Sequence, residues 1–148
     1  MERKPILPPT YMFAAIVLML GLHFLLPIGR VVPMPWALVG LLPLGGGVIG
    51  SVWASNAFGR AGTTVKPFEE PARIVEAGLY RLSRHPMYVC MVVLLLGLAV
   101  LLGTVSPLLP VVGFAAVMRR FAVIEERAME GAFGDEYRAY CGRTRRWL

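Results

Sequence analysis

Four long apolar stretches limit this chain to a small set of folds. They cover residues 11–26, 36–58, 87–102 and 108–124. A helix needs about 20 apolar residues to cross a bilayer, so each stretch is near spanning length and the last two are slightly short. Charged residues make up 16% of the 148 residues, against about 25% in soluble domains. The sequence therefore predicts an all-α integral membrane protein with about four transmembrane helices.

The basic residues predict the orientation in the membrane. With four spans, both termini, the 59–86 loop and everything after residue 124 share one side. Of the 15 Lys and Arg residues, 14 lie on that side when Arg119 and Arg120 are counted with it, and only Arg30 lies opposite. Because basic residues concentrate in cytoplasmic loops, we expect cytoplasmic termini and an inner membrane of bacterial or archaeal type. Topology also accounts for the net charge of +6, so we expect no nucleic-acid partner.

The connections between the apolar stretches predict how the spans pack. The turn at residues 103–107 is short, and short helix–helix connections join antiparallel neighbours. The third and fourth spans are therefore predicted to form a helical hairpin. We treat residues 1–148 as one domain that ends in a short cytoplasmic helical segment. The sequence does not specify an oligomeric state.

A glycine cluster in the second span matches the letters of a nucleotide-binding motif but lacks the structural context that the motif requires. The segment Gly45-Gly-Gly-Val-Ile-Gly50 reads as GxGxxG, but the dinucleotide fingerprint requires a preceding strand inside a βαβ unit. Small residues spaced by four let membrane helices approach closely. We interpret Gly46, Gly50 and Ala54 as such a packing face.

Charged and aromatic residues at the ends of the hairpin predict a binding site. His85 lies 19 to 20 positions before the centre of the turn, and Glu125 lies 20 to 21 positions after it. An antiparallel hairpin therefore brings Arg84, His85 and Tyr88 to the depth of Glu125 and Glu126. A helix N-terminus with arginines suits an anion, and carboxylates with an aromatic ring suit a cation. S-adenosylmethionine has this charge layout, as do other zwitterions, and a solvated Glu-Glu-Arg turn is the alternative.

At these residues the sequence resembles a known superfamily. The segments concerned are Gly62-Thr-Thr-Val-Lys-Pro67, Gly78-Leu-Tyr-Arg81, Arg84-His-Pro-Met-Tyr88, Glu125-Glu126 and Phe133-Gly-Asp-Glu-Tyr137 with Tyr140. In this order they are similar to the isoprenylcysteine carboxyl methyltransferase and phospholipid methyltransferase superfamily of membrane enzymes. Two positions depart from it: Leu79 stands where proline is usual, and Cys90 stands where glycine is usual.

The resemblance implies a membrane methyltransferase that binds S-adenosylmethionine without a Rossmann fold, in a region formed by about residues 59–88 and 119–148. The cofactor-binding residues that it implies are Arg84, His85, Tyr88, Glu125, Glu126, Tyr80 and Tyr137. The segment that covers the cofactor would contain Tyr137, Tyr140 and Arg143. Catalytic roles would fall to Glu126, His85 and Arg143, and no metal is implied. The acceptor would be hydrophobic or lipid-like and would enter from the bilayer among the membrane lipids.

The nature of the acceptor stays open at this point. A carboxylate is ionised at neutral pH, whereas a thiol or an amine must lose a proton first. His85 or Glu126 would act as the base in the latter cases. An NADPH-dependent, sterol-reductase-like oxidoreductase and a non-catalytic four-span protein are the alternative functions. For a lipid-like acceptor we expect a lateral opening between the second and fourth spans that passes Gly97 or Ala99.

Overall fold

The structure is a computed structural model that describes residues 7–62 and 73–148. Residues 63–72, which include most of the Gly62–Pro67 segment and part of the predicted 59–88 region, lie outside the described residues. The helical elements are α1 (Pro8–Leu25), a 3₁₀ helix (Trp36–Gly40), α2 (Leu41–Ala61), a second 3₁₀ helix (Gly78–Arg81), α3 (Pro86–Leu102), α4 (Leu108–Phe133) and α5 (Asp135–Arg143). The described part of the chain contains no β-strand beyond isolated bridges. The predicted all-α class is therefore confirmed.

Two of the helical segments are long and apolar enough to cross a membrane. They are Pro8–Leu25 and Trp36–Ala61, and Pro86–Leu102 is a shorter apolar helix. Large apolar side chains such as Leu25, Leu42 and Ile49 are exposed on the first two segments, as expected for surfaces that meet lipid rather than water. The chain is thus a helical membrane protein, whereas the four-span arrangement remains a prediction.

Proline and glycine mark several ends of these helices. Pro8 and Pro86 begin α1 and α3, where the missing proline N–H would have no partner inside the helix in any case. Gly103 ends α3 with a φ of +72°, a left-handed conformation that glycine adopts without steric cost. The chain then turns, and Leu108 begins α4.

Helices α2 and α3 approach each other through small residues. A Cβ atom on Gly47 would lie 2.6 Å from the Cys90 carbonyl oxygen, and one on Gly50 would lie 2.6 Å from Cys90 Sγ. A Cβ on Gly97 would collide with the α2 backbone. The predicted packing face exists but is misassigned at Gly46, which has nothing within 4 Å of its Cβ position. The 3.6-residue period of a helix leaves two adjacent glycines on different faces.

The main core lies between α1, α3 and α4. Met19, Leu95 and Met118 are fully buried there. The buried face of α4 consists of Val111, Phe114, Met118 and Ala122, at the spacing of three and four expected for one helix face. Because α3 and α4 are joined by a short turn and share this core, the predicted hairpin is confirmed. Ala99 also belongs to the core, so neither it nor Gly97 lines a lateral opening.

Candidate functional site

The first side of the site is the beginning of α3. His85 occupies the N-cap position of that helix, and its carbonyl oxygen accepts hydrogen bonds from the N–H groups of Tyr88 and Val89. The backbone N–H of His85 is held by the Ser83 hydroxyl at 3.2 Å. The helix start therefore fixes where the imidazole lies, and Tyr88 follows on the first turn.

The second side of the site is the middle of α4. The apolar stretch ends at residue 124, but the helix continues to Phe133, since Glu, Arg, Ala and Met are good helix formers. It stops at Gly134, whose φ is +52°. Glu125 and Glu126 directly follow the fourth apolar stretch, but they lie two turns before the end of the helix. Their charges therefore do not face the negative end of the helix dipole.

The two sides meet as the residue count from the turn predicts. His85 Nε2 lies 3.2 Å from Glu126 Oε1, and His85 Nδ1 lies 3.5 Å from Glu125 Oε2. The Tyr88 hydroxyl donates a hydrogen bond to Glu125 Oε1 at 2.5 Å, and the His85 and Tyr88 rings stack with centroids 5.6 Å apart. The predicted juxtaposition of these segments is confirmed.

Two arginines place positive charge on the same carboxylate. Arg84 Nη1 lies 3.5 Å from Glu126 Oε1. Arg146 Nε donates to both Glu126 oxygens at 3.0 Å, and its Nη2 donates to Oε2 at 2.7 Å. Glu126 is only 8% exposed, and a carboxylate in that setting requires such partners. We refer to Arg84, His85, Glu125, Glu126 and Arg146 as the charge cluster.

Arg146 is the member of the charge cluster that sequence reasoning missed. It is one of three arginines in residues 143–147, and nothing in the local sequence distinguishes it. Its position depends on two hydrogen bonds with a distant segment: the Arg84 N–H donates to the Arg145 carbonyl at 2.9 Å, and the Ser83 hydroxyl donates to the Arg146 carbonyl at 3.1 Å. These contacts tie the C-terminal segment to the beginning of α3.

The pKa values of His85 and Glu126 reflect these contacts, and both residues lie outside the predicted spans. Burial disfavours the protonated imidazole of His85, but hydrogen bonds with Glu125 and Glu126 outweigh it and raise the His85 pKa. Burial also raises the pKa of Glu126, whereas hydrogen bonds from His85 and Arg146 and the charge of Arg84 lower it to about 2 overall. The cluster therefore holds Glu126 ionised and favours a protonated His85.

The aromatic residues predicted for the site lie in different surroundings. Tyr80 is buried in a small second core with Val75 and Ala54, and its carbonyl accepts a hydrogen bond from the Tyr140 hydroxyl at 2.8 Å. Tyr137 is buried on α5. The Trp147 ring lies 5.7 Å from the His85 ring, which sequence reasoning did not foresee.

The structure does not bring Arg143 into the charge cluster. Its Nη2 pairs with Glu76 Oε1 and Oε2, both at 3.1 Å, and its side chain is largely exposed. The pair joins α5 to the segment before the second 3₁₀ helix. Arg143 therefore lies on the rim of the site.

A cleft opens beside the charge cluster between α4 and α5. Its volume is about 410 Å³, within the range of about 300–1,000 Å³ that is usual for small-molecule sites. The lining residues are Arg84, Val123, Glu126, Arg127, Glu130, Tyr137, Arg138, Cys141 and Arg146. The Nε atom of Arg84, which lines the cleft, is buried and has no hydrogen-bond partner within residues 7–62 and 73–148. Within the described ranges, no three His, Cys, Asp or Glu side chains lie close enough together to hold a metal ion.

The fold and the site together define a class of protein. Apolar helices carry a buried histidine–carboxylate–arginine cluster at the mouth of a helical hairpin, so the chain is a helical membrane protein with a polar cleft at that mouth. The model of the phospholipid methyltransferase family matches residues 36–136. The chain belongs to that family of membrane methyltransferases, within the isoprenylcysteine/phospholipid methyltransferase superfamily. The match contains α2, α3 and α4 and ends before Arg146.

One relative and the search of solved structures complete the comparison. The chain is similar to an uncharacterized protein of Haemophilus influenzae, with 40% identity over 63 residues, which are 42% of this chain and 100% of that protein. No solved structure matches the chain significantly.

Proposed function

We propose that residues 1–148 form a single S-adenosylmethionine-dependent methyltransferase that acts on a hydrophobic or lipid-like acceptor. The observation that carries the proposal is the buried charge cluster, in which carboxylates and arginines from α3, α4 and the C-terminal segment meet beside a cleft. Family membership supports methyl transfer. The cluster supports the choice of methyl donor, because the donor carries charges of both signs.

The side chains of the cluster suit the groups of S-adenosylmethionine. Glu125 and Glu126 offer carboxylates to its ammonium and sulfonium, and the Tyr88 ring beside them suits a cation. The unpartnered Nε of Arg84 and the half-exposed guanidinium of Arg146 suit its carboxylate. We assign Tyr80 and Tyr137 to the walls that shape this site.

The reaction requires mainly orientation and the exclusion of water. The bound cofactor supplies an electrophilic methyl group on a positively charged sulfur. The charge cluster would orient that molecule, and holding two reactants in line contributes several kcal/mol to lowering a barrier. Trp147, which packs near His85, would limit the access of water from the C-terminal side.

The protonation states of the cluster bear on the acceptor. A Glu126 pKa of about 2 makes that carboxylate a weak base, and a raised His85 pKa keeps its imidazole protonated more of the time. Glu126 is therefore not tuned to deprotonate an ammonium near neutral pH, and His85 spends less time in the neutral form that a base requires. We therefore assign His85 and Glu126 to positioning and charge, and we favour an acceptor that arrives ionised, such as a carboxylate, over a thiol or an amine.

Arg143 is assigned to the acceptor's entrance rather than to the cofactor. Its ion pair with Glu76 is exposed, and exposed pairs contribute at most about 1 kcal/mol, so an anionic group of the acceptor would open it at small cost. The Arg143→Gln variant should then raise the KM for an anionic acceptor and leave the affinity for the cofactor unchanged.

The site is proposed to face the cytoplasm in a four-span arrangement with both termini on that side. In a background that lacks Cys90 and Cys141, a cysteine at position 81 should react with a membrane-impermeant reagent only from the cytoplasm, and one at position 30 only from the opposite side. The reverse pattern would place the charge cluster away from cellular S-adenosylmethionine.

Transfer of a labelled methyl group tests the activity itself. Membranes that contain the full chain, supplied with methyl-labelled S-adenosylmethionine, should transfer label to organic-soluble carboxylate acceptors, with thiol and amine lipids as parallel substrates. The Glu126→Gln variant should lose most of the transfer, whereas Glu130→Gln, which lines the cleft outside the charge cluster, should lose much less. Absence of transfer to all three acceptor classes would contradict the proposal.

A further inference from the structure

Two adjacent arginines on the outer face of α4 have no role in the charge cluster. Arg119 and Arg120 are both exposed. The same helix exposes large apolar residues toward its N-terminus, where Leu109 is 72% and Val112 is 66% exposed. The surface of α4 thus changes from apolar to basic within two turns. We refer to Arg119 and Arg120 as the α4 basic patch.

Neighbouring helices indicate the depth of this patch in the membrane. Tyr11, in the first turn of α1, contacts Phe121 with ring centroids 5.6 Å apart. Tyr88, in the first turn of α3, reaches Glu125. The ends of α1 and α3 therefore lie level with residues 121–125 of α4, and the patch lies within about 9 Å of that level at 1.5 Å per residue. Arginine side chains of this kind extend to the head-group region.

Three arginines after residue 134 have carboxylate partners, whereas those of the patch have none, a property that they share with Arg127 and Arg145 among the described residues. Arg138 pairs with Glu130 and Asp135, Arg143 with Glu76, and Arg146 with Glu126. Within the described ranges 7–62 and 73–148, no carboxylate lies at ion-pair distance from Arg119 or Arg120. Two unneutralised charges beside a lipid-facing apolar surface attract the anionic head groups of neighbouring lipids.

We propose that the α4 basic patch binds the phosphate head group of an anionic phospholipid whose acyl chains lie along the apolar face of α4. The two guanidinium groups supply a charge-assisted and bidentate contact with phosphate. Val112 and Leu109 supply the apolar surface that a soluble phosphate would not use. This site is distinct from the cleft, and its occupant need not be methylated.

Native mass spectrometry of the detergent-purified full chain tests the proposal. Phosphatidylglycerol and phosphatidylcholine with identical acyl chains are the probes. The wild-type chain should bind phosphatidylglycerol more tightly than phosphatidylcholine. Each arginine near an anionic surface strengthens binding about fivefold, so the Arg119→Gln/Arg120→Gln variant should lose about 25-fold in affinity for phosphatidylglycerol. Its affinity for phosphatidylcholine should stay unchanged.

Three controls make the outcome specific to the patch. Arg138→Gln removes an exposed arginine that is already neutralised, and it should keep the wild-type preference. Arg119→Lys/Arg120→Lys should retain most of the preference, which guards against a folding defect in the glutamine variant. Glycerol phosphate at equal concentration should not compete. A wild-type chain without preference, an unchanged preference in the glutamine variant, or full competition by glycerol phosphate would overturn the proposal.

Discussion

Replacement of Glu126 by glutamine tests whether the charge cluster holds the mouth of the hairpin together. The amide keeps the shape of the side chain and removes its charge, so Arg84, His85 and Arg146 face one another without the carboxylate between them. Glutamine approximates the protonated acid, and the change in the Glu126 pKa on folding therefore measures what its charge contributes to stability. At 8% exposure the carboxylate is little screened by water.

The magnitude follows from two pKa values. The pKa of Glu126 falls from an ordinary value of 4.5 to about 2 in the fold, and each tenfold change in proton affinity corresponds to about 1.4 kcal/mol. The ionised carboxylate thus stabilises the fold by about 3 kcal/mol at neutral pH. Because the folded pKa is the lower of the two, this contribution is complete above pH 4.5 and is lost as the pH falls toward 2.

Thermal unfolding of the full chain in detergent, followed by tryptophan fluorescence, measures the effect. A chain of this size loses about 2–4 °C in Tm per kcal/mol, so Glu126→Gln should lower the Tm by about 6–12 °C at pH 7. The matched control is Glu130→Gln, because Glu130 is 49% exposed and pairs with Arg138 on the surface. That variant should lose less than about 1 kcal/mol.

The acid dependence provides a second criterion. The wild-type chain and Glu130→Gln should both lose the Glu126 contribution between pH 4.5 and 2, whereas Glu126→Gln should lack it. Equal Tm values for the two variants at pH 7, or a wild-type acid response in Glu126→Gln, would refute the reasoning.

Three further predictions concern packing, hydrogen bonding and the surface. Gly97→Ala should lower the free energy of unfolding by about 1–3 kcal/mol because the new Cβ meets the α2 backbone. Gly113→Ala, whose Cβ position has nothing within 4 Å, should raise that free energy or leave it unchanged, and equal effects of the two changes in thermal unfolding would contradict the packing of α2 on α3. Tyr88→Phe removes the donor and Glu125→Ala the acceptor of one hydrogen bond, so a double-mutant cycle should give a coupling of about 0.5–3 kcal/mol, and strict additivity would argue against the bond. Arg143→Gln should change the free energy of unfolding by less than about 1 kcal/mol, and a larger loss would contradict an exposed ion pair.

The sequence was sufficient to predict the positions of the long apolar helices and which residues meet at the mouth of the hairpin. Long apolar stretches indicate helices here because a helix surface needs apolar side chains both where it is buried and where it contacts lipid. A short turn between two helices fixes which residues face each other, and this is why counting from residues 104–105 paired His85 with Glu125 and Glu126. Both deductions use distances along the chain, which the sequence contains.

The remaining features depend on contacts between distant segments. The length of α4 was underestimated because hydropathy ends at residue 124, whereas helix propensity continues to Phe133. Gly46 was chosen over Gly47 because spacing alone does not specify which side of α2 meets α3. Arg146 was missed because its place is set by two hydrogen bonds, from the Ser83 hydroxyl to the Arg146 carbonyl and from the Arg84 N–H to the Arg145 carbonyl. Their donors lie more than 60 residues earlier in the chain.

Calorimetric titration of the detergent-purified full chain with S-adenosylhomocysteine tests the central claim most directly. Titrations at a temperature well below the lowest Tm would compare the wild-type chain, Glu126→Gln and Glu130→Gln, with NADPH as a second ligand. The account predicts that Glu126→Gln binds S-adenosylhomocysteine about tenfold to hundredfold more weakly than the wild-type chain, and that NADPH gives no heat. Glu130→Gln, at the exposed side of the cleft, should lose less than about fivefold. Binding of NADPH instead, no binding of S-adenosylhomocysteine, or equal affinity in the two variants would contradict it.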